Sequence, residues 1–227
     1  MIGIVGDLHA SVNEICLAHN RAVNRGCVAV IQVGDFGFYP TVLEKLKVGL
    51  LESPFTIPFY AIDGNHEDYR IVNTYATDVP TEVLPNLFYV PRGCVLDIDG
   101  RRIAFMGGAA SVDKAWRLRE AAYHGGVHWF PEEQIQDEEM ARLDGVDSVD
   151  MLITHTPPHC TVVAHFPPHN LLYWGLPIDW TDPSAFKVQA LWERLGKPML
   201  YCGHFHKSVT DQMGKVRILN IGEMVIV

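Results

Sequence analysis

Aspartate, asparagine and histidine recur in this chain immediately after short apolar runs. Asp7 and His9 follow Ile2 to Val5, and Asp35 follows the run from Cys27 to Val33. Asn65 and His66 close a segment that starts at Ile57, His155 follows Met151 to Ile153, and His204 and His206 follow Met199 to Cys202. Carboxylate and imidazole donors delivered from one edge of a sheet can enclose a pair of metal ions, and a mixed oxygen and nitrogen set suits Mn, Fe, Zn or Ni better than Ca. Taken singly, each residue has an ordinary reading. Asp7 or Asp35 could be a helix N-cap or a turn residue, and Asn65 a turn residue. His155 could be a satisfied core histidine, and His204 with His206 alternates at a strand end. Their repetition at strand end after strand end is what points to a site.

The elements that must position these residues follow from hydrophobic spacing. Ile2 to Val5 reads as a strand, and Val12 to Arg25 as a helix with apolar residues at helical intervals. Cys27 to Val33 is a second strand, and Pro40-Thr41 opens a helix that runs through Leu51. A third unit begins at Ile57. Three successive βα units predict parallel strands with crossover helices, whose C-terminal loops carry the chemistry. After residue 86 the runs Leu87–Val90, Cys94–Ile98 and Arg101–Met106, separated by Pro91-Arg92-Gly93 and Asp99-Gly100, read as hairpins. Gly107 to Gly126 reads as a loop, Pro131 to Leu143 as an acidic helix, and Pro157 to Pro183 as a long loop rich in proline and aromatics. A helix from Ser184 to Leu195 starts at Asp182 or Thr181 and stops at Gly196. Ser208–Gln212, Val216–Ile221 and Met224–Val227 are expected as closing antiparallel strands.

Five blocks stand in order along the chain: Gly6-Asp7-Leu8-His9, Gly34-Asp35, Gly64-Asn65-His66-Glu67, a lone His155 after an apolar strand, and Gly203-His204-Phe205-His206. Together they resemble the calcineurin-like metallophosphoesterases, in particular small bacterial and phage members, over nearly the whole length. The resemblance implies an α/β fold in which a sandwich of two β-sheets is flanked by helices, with a dimetal site at the strand ends. It implies that Asp7, His9, Asp35 and His206 hold one metal, that Asp35, Asn65, His155 and His204 hold the other, and that Asp35 bridges them. An anionic bridge lets two cations sit close together and acidify a shared water, whose hydroxide attacks phosphorus in line. The implied cofactors are two divalent transition metal ions, with Mn ahead of Fe, Zn, Ni or Mg. His66 would bind no metal and would act at the leaving-group oxygen, donating a proton or stabilising its charge, or else brace Asn65.

The chain departs from the family pattern after Asp35, where Phe36-Gly37-Phe38 replaces a segment that in many members carries a second Asp and an Arg, and at Ala10, where protein-phosphatase relatives carry Gly. An Arg fork there would grip a phosphate dianion. Its absence favours a small phosphodiester, including 2′,3′-cyclic nucleotides, as substrate. A phosphomonoesterase or a nuclease using the same dimetal site is the alternative. Lys114 and Arg117, in a loop resembling one in small family members, either contact substrate or belong to a solvated loop. His159, His165, His169, Phe166, Tyr173, Trp174 and Trp180 either line a nucleobase pocket or close a small apolar core under the long loop. His124 and His128 receive no role.

Composition bounds these readings. At 227 residues, 48% hydrophobic and 20% charged, the chain is expected to be globular and to form one domain over 1–227. A net charge of −9 and the lack of a Lys/Arg run argue against an extended nucleic-acid groove. Five widely spaced cysteines without a C-x-x-C pair read as reduced, and no leader or membrane-length apolar run is present, so a cytoplasmic location is expected. Retention of seven ligand-type residues together with His66 argues against a non-catalytic scaffold.

Overall fold

The computed structural model describes residues 1–211 and 214–227. Two six-stranded sheets stack on each other. The first has the order β12-β1-β2-β3-β5-β4, built from β1 (Ile2–Val5), β2 (Ala29–Gln32), β3 (Phe59–Ala61), β4 (Thr81–Leu84), β5 (Leu87–Tyr89) and β12 (Met224–Ile226). The second has the order β10-β11-β9-β8-β7-β6, from β6 (Val95–Ile98), β7 (Arg101–Met106), β8 (Met151–Thr154), β9 (Met199–Cys202), β10 (Val209–Thr210) and β11 (Val216–Ile218).

The central strands are apolar without interruption because both of their faces are covered. Ile2, Ile4 and Ile31 of the first sheet and Ile103, Phe105 and Ile153 of the second meet in the layer between the sheets. Their strand neighbours Val5 and Val30 point the other way, onto α1 (Val12–Asn24) and α2 (Pro40–Glu52). Ala104, Met106 and Leu152 point outward under α8 (Pro183–Arg194), which buries Val188, Leu191 and Trp192. Period-two alternation along each strand thus generates a four-layer α/β/β/α stack.

The expected parallel core of β1, β2 and β3 is present and in register, and β5 extends it in parallel on the far side of β3. The hairpin of β6 and β7 turns at Asp99 and Gly100, both at positive φ (53° and 71°) as a two-residue turn requires. The α8 start is also as read, with the Asp182 carboxylate accepting from the Ser184 N–H at 2.7 Å.

Other expectations need correction. Leu87–Val90 does not pair with Cys94–Ile98; β5 belongs to the other sheet, where it forms an antiparallel hairpin with β4, a strand the spacing did not suggest. The closing strands separate: β10 and β11 are antiparallel in the second sheet, while β12 returns antiparallel to β1 in the first. Gln212, the expected end of one of them, lies outside the described residues. The segment 107–126 is not all loop, because α4 (Lys114–His124) occupies its second half. The Gly and Ala at its start mask the helix formers Lys-Ala-Trp-Arg-Leu-Arg-Glu-Ala-Ala that follow. The acidic helix is instead a single 3-10 turn, Pro131–Glu133, followed by a short α5 (Asp137–Ala141). The long loop contains α6 (His159–His165) and α7 (His169–Tyr173), with α3 (Tyr69–Tyr75) completing the helices. All five cysteines are unpaired.

Candidate metal centre

Asp7 lies just beyond β1, Asp35 beyond β2, Asn65 and His66 beyond β3, His155 beyond β8, and His204 and His206 beyond β9. The two sheets stack with these strand ends on one side, so residues from the two ends of the chain come together. Asp7, His9, Asp35 and His206 each offer a ligand atom, and those atoms lie within 4.8 Å of one another. His9 Nε2 is 2.8 Å from His206 Nε2, and the Asp7 Oδ2 atom is 3.7 Å from the first and 3.2 Å from the second. Asp35 Oδ2 is 3.8 Å from His9 Nδ1, is buried, and has no hydrogen-bond partner among the described residues. An orphaned carboxylate oxygen in a buried position is costly unless a cation meets it.

The other oxygen of Asp35 faces a second donor group. Asp35 Oδ1 accepts from the backbone N–H groups of Asn65 (2.9 Å) and His66 (2.8 Å) and lies 3.4 Å from His155 Nε2. His155 Nδ1 is held by the Val33 carbonyl at 2.9 Å, which turns Nε2 toward Asn65 Oδ1 at 3.1 Å. Asn65 in turn is oriented by its Nδ2 donating to Ser111 Oγ at 3.0 Å, while the Ser111 hydroxyl donates to Glu133. Imidazole nitrogen, amide oxygen and carboxylate oxygen therefore converge where only a proton or a metal satisfies all three. The His204 ring packs edge-on against His155 with centroids 5.0 Å apart, and its backbone N–H donates to both oxygens of Asp7. Mixed nitrogen and oxygen donors of this kind fit a borderline divalent metal.

Within the chain alone, the donor groups act strongly on one another's charge. Burial would raise the Asp35 pKa, but the neighbouring His155, His66 and His9 outweigh it and hold the carboxyl well below the usual range. Burial disfavours charge on His155, yet the Asp35 carboxylate beside it pushes the imidazole up to about 10. Burial, with the His155 charge added, drives His204 well below its ordinary value.

The local backbone explains the residue types beside the ligands. A Cβ on Gly203 would overlap the Asp7 carboxylate, and one on Gly64 would overlap Asp35 Oδ1, so each glycine clears space for a donor from another strand. His9, Ala10, Asp35, His204 and His206 sit at φ of 42°, 62°, 55°, 69° and 49°. This left-handed conformation costs a non-glycine residue about 1 kcal/mol or more, and its concentration here is a mark of functional sites.

His66 stands beside this cluster, its ring 5.5 Å from that of His9. Arg117 reaches it from α4: one guanidinium nitrogen is 2.9 and 3.0 Å from the two ring nitrogens. The remaining donors of Arg117 go to Asp113 (3.0 Å), the Asn65 carbonyl (2.9 Å) and Glu133 (3.0 Å). Arg117 is thus buried and ordered against His66 rather than solvated. Lys114 is exposed and lies over the Trp129 ring at 3.6 Å.

Three residues of this centre carried no assigned role in the sequence reading. Ser111 and Glu133 orient Asn65 and Arg117; Glu133 sits in an acidic stretch with nothing in its local pattern to single it out. Glu67, inside the Gly-Asn-His-Glu block, accepts from the backbone N–H groups of Phe36, Gly37 and Phe38 at 2.8, 2.9 and 2.6 Å and so shapes the turn after Asp35. Phe38 is fully buried against Phe36 and Tyr89. The aromatics of 157–183 do not form one small core: Tyr173 is 84% exposed, whereas Phe166 packs inward, stacked on Phe205 at 4.0 Å. His159 stacks on Phe186 at 3.9 Å.

Comparison with known proteins agrees with the architecture. The family model described as the calcineurin-like phosphoesterase superfamily domain matches residues 1–227. No curated protein sequence matches the chain. One solved structure, described as a novel archaeal phosphodiesterase, is 13% identical and aligns over 96% of this chain and 81% of its own with a TM-score of 0.40. A second is 10% identical and aligns over 96% of this chain and 89% of its own with a TM-score of 0.53, a likeness of fold.

Proposed function

The chain belongs to the calcineurin-like phosphoesterase superfamily, and from that premise we propose that it is a metal-dependent phosphodiesterase acting on small phosphodiesters, 2′,3′-cyclic nucleotides among them. The observation that carries the reading is the double-sided environment of Asp35. Its Oδ2 is buried without a partner toward His9, and its Oδ1 faces His155. That disposition supports Asp35 as the bridge between one ion held by Asp7, His9 and His206 and another held by Asn65, His155 and His204. When bound there, divalent ions such as Mn supply Lewis-acid neutralisation of phosphate charge and an acidified water.

The chain's own residues supply the rest. His66 faces the leaving oxygen, with an N–H to donate as the bond to phosphorus breaks. Arg117 holds His66 in place and adds positive charge where negative charge develops. Ser111 fixes the Asn65 amide so that its oxygen, not its nitrogen, faces His155.

Preference for a diester rests on the guanidinium inventory. Arg117 brings a guanidinium to the centre. Yet most Arg117 donors are committed to Asp113, Asn65, Glu133 and His66, which leaves no open fork for a phosphate dianion. The test is turnover of bis(4-nitrophenyl) phosphate against 4-nitrophenyl phosphate, 2′,3′-cyclic nucleotides and single-stranded DNA, with protein of measured metal content. Diester hydrolysis that is abolished by chelation and restored by Mn is expected. Faster monoester turnover would replace this reading with a phosphomonoesterase, and full activity of metal-free protein would end the metal assignment.

A further inference from the structure

On the His66 side of the centre lies a cavity of about 400 Å³, and none of the seven expected metal ligands lines it. His66 and Arg117 form its inner end, and the rings of Tyr39, Trp116, His128 and Phe130 line the rest. Trp116, on α4 next to Arg117, is 51% exposed, a large indole left open at the cavity wall. Each carboxylate that lines it has close partners: Asp68 pairs with Arg70 at 2.7 Å, Asp113 with Arg117 at 3.0 Å, and Glu67 accepts from the backbone N–H groups of Phe36, Gly37 and Phe38. They therefore offer hydrogen-bond acceptors without repelling a phosphate. Pockets of this volume, aromatic with a few polar groups, suit a small organic ligand. Aromatic faces stack on nucleobases, and polar groups at a rim read the edge of the base.

We propose that this cavity is the subsite for a nucleobase carried on the leaving-group side of the diester, stacked on Trp116 and aligned by the polar rim. The inference rests on the phosphodiesterase reading. Hydrolysis forms a P–O bond from water and breaks the P–O bond to the leaving oxygen, which departs with a proton. Because His66 and Arg117 are shared between cavity and reaction centre, the group that departs is the one that occupies the cavity.

The experiment uses two diesters with matched leaving alcohols: one whose leaving oxygen is the 5′ oxygen of adenosine, and the same compound built on methyl riboside, which lacks the base. In the native protein kcat/KM for the adenosine compound should exceed that for the riboside by about tenfold, the scale of one stacked base. Trp116→Ala should bring the ratio near one, and Trp116→Phe should keep most of it. An unchanged ratio in Trp116→Ala overturns the proposal. So does a native ratio of one accompanied by a loss confined to bis(4-nitrophenyl) phosphate, which would make the occupant a plain aryl ring. If no diester is hydrolysed, the phosphodiesterase reading fails by itself. Saturation-transfer NMR with adenosine then decides the subsite: a transfer signal abolished by Trp116→Ala upholds it, and a native protein that gives no signal removes it.

Discussion

Two side chains at the centre carry opposite demands. His66 is held below its ordinary pKa by burial and by the Arg117 charge, against the pull of Asp35. A neutral imidazole can still donate an N–H to a departing alkoxide. His66→Ala should therefore slow diesters with poorly acidic leaving alcohols by about 10²–10⁴-fold and nitrophenyl diesters much less, with metal content unchanged. Equal slowing of the two substrate types at full metal content would assign His66 to bracing Asn65 instead. Glu133 behaves differently. Burial raises its pKa to about 7, although Arg117 and Ser111 pull it down. Since the folded form keeps a proton that the unfolded chain loses near its ordinary pKa of about 4.5, stability should fall as pH rises from about 4.5 to about 7. Glu133→Gln should flatten that part of the profile, a change on the order of 2 kcal/mol, read by urea unfolding at pH 5 and pH 7.5. An identical slope in the variant would place the titration elsewhere.

At the scale of elements, the loop that presents Asn65 is anchored by a buried ionic network. Asp63 accepts from Arg92 Nε and from the Tyr69 hydroxyl, each at 2.8 Å, and from the Tyr89 hydroxyl at 3.0 Å. Arg92 also donates to Glu139 at 2.8 Å and to the Gln134 carbonyl at 3.0 Å. Strands β3 and β5, helix α3 and the segment 131–141 are thereby locked together two residues from a proposed ligand. Removing one partner of such a pair leaves an uncompensated buried charge, which costs more than the pair contributes. Arg92→Ala should therefore destabilise the fold by about 3–5 kcal/mol by denaturant unfolding, and a loss under about 1 kcal/mol would contradict the buried-charge account. Helix α4 has a comparable job, since it brings Arg117 and Trp116 to the centre. Its misreading as a loop concealed how Arg117 reaches His66.

For the whole molecule, the centre joins the two sheets: Asp7, Asp35 and Asn65 come from one, His155, His204 and His206 from the other. Ions held by both sheets bind the folded chain and not the unfolded one, so they should stabilise it by about 2.7 kcal/mol at a concentration 100 times the dissociation constant. For a chain of this length that is a rise in Tm of about 5 °C or more, reversed by chelator. Scanning fluorimetry with Mn and with EDTA measures it, and coincident transitions would mean that the sheets are not joined by metal. Among the described residues, no helix is long and apolar enough to cross a membrane.

The ligand-type residues, the family and the parallel run of the first three βα units were legible in the sequence, because each is written locally: apolar runs of strand length, each closed by Asp, Asn or His. The glycines of those blocks were visible too, although their reason was not. Only tertiary structure reveals that the glycines at 64 and 203 make room for carboxylates from other strands. The same holds for Ser111 and Glu133, which act on Asn65 from 46 and 68 positions away, and for Arg117, whose guanidinium meets His66 across 51. A lone serine or glutamate has no periodicity to announce it. Its role exists only once β3, α4 and the 3-10 turn at 131–133 have packed together, since contact across such separations is decided by the stacking of elements rather than by spacing along the chain.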